Sequence, residues 1–152
     1  MKKLILITLS LFCMAASFAQ NGERMRERVK AQKIAFITDK LDLTPEEATK
    51  FWPIYNAAEE RIEAVRTKDM RSIKSKIRQN PEMSDDEANK LLQDLITAED
   101  EMYKAKVDLI NNLKGVIPAK KIIRLKRAED EFNQKLLERL REMRKKRGKP
   151  RN

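Results

Sequence analysis

Between Ala88 and Leu109, the residues Ala88, Leu91, Leu95, Ala98, Met102, Ala105 and Leu109 recur at alternating steps of three and four. That repeat places them in one seam along a helix, suited to packing lengthwise on another helix. The small residues in the seam allow close approach. Of the 152 residues, 38% are charged, 5% are aromatic and only three are glycine. Such a composition belongs either to disordered chains or to long amphipathic helices. The regular apolar steps select helices, and the expected core is a narrow seam rather than a thick globule.

Other segments carry the same helical signature. From Glu23 to Leu41, Met25, Val29, Phe36, Ile37 and Leu41 share one face, with Arg24, Arg26, Arg28, Lys30 and Lys33 between them. Leu43-Thr44-Pro45-Glu46-Glu47 predicts a helix start. Thr44 caps the first turn, Pro45 sits where an N–H is not needed, and Glu47 bonds back to the cap. The stripe continues through Phe51, Ile54, Tyr55, Ala58, Ile62 and Val65 towards Ile73 and Ile77. Pro53 removes a hydrogen bond from the Thr49 carbonyl and clashes with it, so a bend is expected near Trp52-Pro53. Asn80-Pro81 closes this helix. Ser84 and Glu87 form a second capping box. Gly115 is expected to end the next helix in a left-handed conformation, and Pro118 to open the last, which runs from about Ala119 to Lys146. The reading is all-α: about four long amphipathic helices in an elongated, hairpin-like chain.

The first nineteen residues point to export. Lys2 and Lys3 precede an apolar run from Leu4 to Ala16, followed by Ser17-Phe18-Ala19, the pattern of a secretory signal peptide cleaved after Ala19. The run is too short to span a bilayer, which takes roughly 20 apolar residues. Phe12 before Cys13 argues against lipoprotein processing. Domain boundaries follow: a signal peptide at 1–19, one helical domain at 20–146 and a basic, disordered tail at 147–152. The expected location is the periplasm. Net charge falls from +10 to +8 when Lys2 and Lys3 leave with the signal. Export argues against nucleic acid as the reason for that charge. Acidic protein segments or an anionic membrane, the latter met by the C-terminal tail, are the expected partners.

Catalysis is not expected. The chain has no histidine, and its one cysteine lies within the signal. The commonest general base, thiol nucleophiles and tetrahedral zinc ligation are thereby excluded from the mature chain. Ser72, Ser75 and Ser84 have no triad, and no glycine-rich phosphate loop is present. No metal or cofactor is expected. Candidate partner-binding residues are the aromatic cluster Phe51, Trp52 and Tyr55, the adaptable Met83, and the basic Arg24, Arg28 and Lys33. The cluster reads either as a core plug pinning the bend or as an apolar surface that grips clients. The basic face reads either as solvated or as a contact for acidic partners.

Leu43-Thr44-Pro45-Glu46-Glu47 resembles the Leu-Thr-x-x-Gln motif of the Spy/CpxP family of periplasmic stress proteins. Glu47 replaces the glutamine, and Val116-Ile117-Pro118-Ala119-Lys120 does not reproduce the family's second copy. Leu43 to Tyr55 and Val116 to Phe132 are similar to a related group of small exported proteins labelled sensors of an extracytoplasmic-function sigma factor. The resemblance implies a four-helix chain that pairs into a thin, intertwined, curved homodimer with a basic concave face. It also implies an ATP-independent chaperone for unfolded or misfolded clients under envelope stress, or an accessory regulator docking on a membrane stress sensor.

Overall fold

The computed structural model describes residues 23–147. The expected signal peptide and its cleavage site lie outside the described residues, and of the tail expected at 147–152 only Arg147 is described, as the last residue of a helix. Among the described residues the chain is all-helical, as expected, with four helical rods. The first, α1, covers 23–41. The second is α2 (Pro45–Val65), a five-residue π-helical segment (Arg66–Met70) and α3 (Arg71–Gln79) in unbroken succession. The third is α4 (Asp85–Leu113) and the fourth α5 (Ala119–Arg147). Contacts gather into two units: Leu43–Arg124, and residues 23–42 with 125–147.

Both helix starts form by the expected chemistry. Thr44 Oγ1 accepts from the Glu47 N–H at 3.2 Å, and Glu47 Oε2 accepts from the Thr44 N–H at 2.9 Å. At the second start, Ser84 Oγ accepts from the Glu87 N–H at 3.4 Å, and Glu87 Oε2 accepts from the Ser84 N–H at 3.0 Å. Each box satisfies first-turn donors that would otherwise lack partners. Acidic residues also fill both first turns, where they complement the helix dipole.

The rod from Pro45 to Gln79 continues helical through Pro53. A π-helical segment lies further along the rod at Arg66–Met70, and there is a reason in the apolar register. Eight residues separate Val65 from Ile73, which leaves them about 80° out of phase on a regular α-helix. A π turn takes up roughly one extra residue, or about 100°, and brings the two back to one face. Thr67 Oγ1 supports the segment by donating to the Glu63 carbonyl at 2.7 Å. Val65 and Ile73 then join Ile62, Ala98, Met102 and Ala105 in one buried cluster, with Met70 and Leu95 against it. Ile77, expected on the same stripe, is exposed.

This packing runs α2–α3 antiparallel to α4: Arg61 meets Asp108 and Lys76 meets Asp94. These ion pairs are exposed and add little. The apolar seam carries the contact.

Gly115 departs from expectation. Among the described residues no glycine has a positive φ. The end of α4 is closed by Val116 and Ile117 N–H groups donating to the Leu113 carbonyl at 3.0 and 3.1 Å. The left-handed residue lies instead at Asp42, after α1, with φ 49°. A Cβ at position 115 meets nothing within 4 Å. Gly115→Ala is therefore expected to raise stability by about 0.4–1 kcal/mol, by restricting the unfolded chain. Urea unfolding tests this, and a lowered midpoint would contradict it. Pro118 precedes α5 rather than occupying its first helical turn, and its carbonyl accepts from Lys121 and Ile122.

In the other unit, α1 runs antiparallel to α5. Lys40 pairs with Glu131 at 2.7 Å, Phe36 lies 5.8 Å from Phe132, and Arg139 donates to Gln32 at 2.9 Å. Ile37, Leu41, Leu125, Ala128 and Phe132 are buried. Lys135 sits over the Phe36 ring at 4.7 Å, a cation–π contact that covers the edge of this narrow core.

Candidate partner-binding surfaces

Helix α4 carries two apolar stripes, and the sequence reading identified only one. The seam residues Ala98, Met102, Ala105 and Leu109 are buried, with the first three packed against Ile62, Val65 and Ile73 of the same chain. The seam is thus occupied within the protomer along most of its length. Its first member, Ala88, is exposed.

The second stripe comprises Leu92, Ile96, Tyr103 and Ile110, which are 50%, 52%, 66% and 45% exposed. Steps of four, seven and seven keep them within an arc of about 40° along roughly 27 Å of helix. Glu99 and Lys106, both exposed, occupy the intervening positions of the same repeat. Scattered exposed apolar residues are ordinary, but an aligned row of large ones is a candidate contact surface. The helix is also the most acidic element of a basic chain, with eight Asp and Glu against three Lys. The signal was legible as a heptad, one position beyond the seam.

The residues singled out in the sequence fall in different settings. Phe51 and Tyr55 are 0% and 2% exposed, stacked at 5.4 Å, with Trp52 edge-on to both. The aromatic cluster is therefore mainly interior, and only Trp52 keeps part of its surface open. Phe51 and Tyr55 offer no contact surface in this conformation, because stripe positions on α2 turn inward. Met83 is half-buried and lines a groove of about 310 Å³ with Leu91, Lys76 and Lys90. Arg24 and Arg28 are exposed on α1, and Lys33 is partly buried there. Thr44, Glu47, Ser84 and Glu87 serve as helix caps.

Glu47 has a second role. Lys121, at the start of α5, donates to its Oε2 at 2.6 Å, and the two side chains are only 17% and 18% exposed. Together with the Thr44 N–H, the Lys121 ammonium holds the Glu47 carboxyl below its ordinary value of 4.5. A carboxylate with a lowered folded-state pKa contributes stability above its unfolded value and loses it as pH falls through the folded one. Glu47→Gln keeps an acceptor for the cap but removes the charge. The variant should lose less stability than the parent chain between about pH 5 and pH 3. Parallel acid-titration melts measure the difference, and identical pH slopes would contradict it.

Among the described residues no group of three or more potential metal ligands is present, and no helix is long and apolar enough to cross a membrane. A groove of about 500 Å³ between α2 and α4 is lined by Pro53, Ile54, Ala57 and Leu109, with Arg61 and Asp108 also contributing. It is open and mainly apolar, and its two charged groups, Arg61 and Asp108, pair with each other at 2.8 Å. In comparisons with family models, curated proteins and solved structures, nothing matches this chain. What fold and surfaces define is a class: an all-helical protein with narrow apolar seams and a separate exposed apolar row.

Proposed function

We propose that this chain is a non-catalytic, ATP-independent chaperone-like protein of the periplasm, which holds unfolded or misfolded segments by weak, dispersed contacts. The observation that carries this reading is the exposed row Leu92, Ile96, Tyr103 and Ile110 on α4. An extended or part-helical client can lay apolar side chains along it without a deep pocket. Charged residues around the row keep each contact reversible, and the basic α1 face attracts acidic clients over a distance. The likeness of Leu43–Glu47 to the Spy/CpxP motif agrees with this reading.

Suppression of aggregation of an unfolded model protein tests it. The chain from Gln20 should suppress aggregation at low and moderate salt. Ile96→Gln with Tyr103→Gln should weaken suppression about tenfold, as for loss of two apolar anchors, with helicity unchanged. Equal suppression by the variant would remove the row from the function.

A specific observation also favours a second copy as occupant of the row. In an antiparallel two-fold pairing centred between Glu99 and Lys106, each residue would meet the other type on its partner, and the apolar positions would interleave. Light scattering at tens of micromolar separates the readings. A dimer abolished by the double variant assigns the row to self-association, whereas an unchanged monomer leaves it to clients.

A further inference from the structure

We infer that the paired ends of α1 and α5 form a docking surface for an anionic lipid bilayer, separate from the α4 row. The antiparallel register is set by Phe36 with Phe132 and by Gln32 with Arg139. Continued past Gln32, it brings the first turns of α1 alongside the last turns of α5. Two properties coincide there. Residues 23–33 and 134–147 hold twelve Lys and Arg against four Glu, a net +8. The same turns expose large apolar side chains: Met25 at 50%, Leu137 at 55%, Leu140 at 38% and Met143 at 37%. On α5, Leu137, Leu140 and Met143 span an arc of about 120° that also holds Arg144, while Arg141, Lys145 and Lys146 flank it or lie opposite.

Charge complementarity alone would admit any polyanion, but the apolar arc discriminates. A soluble acidic segment neutralises the arginines and leaves Leu137 and Leu140 in water. A bilayer with anionic headgroups accepts both features. The helix lies in the interface with its apolar arc in the acyl boundary, while the long basic side chains reach out to phosphate. Arginine, which predominates in the early turns of α1, suits phosphate through its planar fork of donors. This surface extends the basic-tail expectation inward, from residues 147–152 to two helices, and adds an apolar component.

Vesicle flotation of the chain from Gln20 to Asn152 provides the test, since it excludes the apolar N-terminal run. Binding is expected to phosphatidylglycerol-containing vesicles and not to phosphatidylcholine alone, with a decrease as salt rises. Leu137→Glu with Leu140→Glu should lower the bound fraction about tenfold, with circular dichroism unchanged. If that pair loses helicity, Leu137→Gln alone, at an already exposed side chain, reads the same term. Arg141→Gln with Lys145→Gln should weaken binding and flatten its salt dependence. Leucine variants that bind like the parent chain would overturn the inference. So would full displacement by soluble poly-glutamate, which would identify an acidic polymer as the ligand, or equal binding to uncharged vesicles.

Discussion

Replacing Phe51 by alanine is expected to cost about 3–5 kcal/mol of stability. Phe51 is wholly buried and touches two aromatic neighbours, stacking on Tyr55 at 5.4 Å and meeting Trp52 edge-on at 4.9 Å. Truncation removes the apolar contact and leaves a void between rods too narrow to collapse without shifting α2. Trp52 is the chain's one tryptophan, so its emission reports the void directly and should move towards the red as water reaches the indole. Trp52→Ala, at a half-exposed side chain, should cost clearly less. Chemical unfolding of both variants measures the order. A Phe51→Ala chain as stable as the parent, but weaker in client suppression, would restore the aromatic cluster as a binding surface.

Ala98→Asp is expected to be of comparable size, on the order of 3–5 kcal/mol. Ala98 is 4% exposed within the cluster that includes Ile62, Val65 and Ile73. An aspartate there is too short to reach water, so it must remain charged in an apolar seam or take up a proton. Asp94 and Glu101, one turn away on either side, add like charge. Thermal melts by circular dichroism test this. If the seam instead joined two copies, the variant would remain a folded monomer with an unchanged melt, and the intrachain assignment would be wrong.

How much of this was legible in the sequence differs by element. The starts at Thr44 and Ser84 were, because a capping box is a contact between residues three apart and needs no tertiary partner. The end of the second rod at Asn80-Pro81 was legible for the same reason. The π segment was not announced by any residue at 66–70; it answers a phase mismatch between Val65 and Ile73 that matters only once α4 is present. Gly115 misled because glycine permits a left-handed turn without requiring one, and the hydrogen bonds to Leu113 close the helix without it. For the candidate surfaces, periodicity located apolar stripes but not what covers them. Phe51 and Tyr55 looked as available as Tyr103, and the exposed row on α4 was passed over for the cleaner seam beside it.

By itself the sequence determined that this chain is helical, where its rods begin, and that its charge is strongly positive with an acidic α4. Those properties depend on spacing within one or two turns and on composition. Only the tertiary structure decided which stripe is spent inside the molecule and which remains open, and that Glu47 is shared between a cap and Lys121. Such outcomes depend on pairings between distant residues, Glu47 and Lys121 being 74 apart along the chain, whose free energy exists only when distant rods meet.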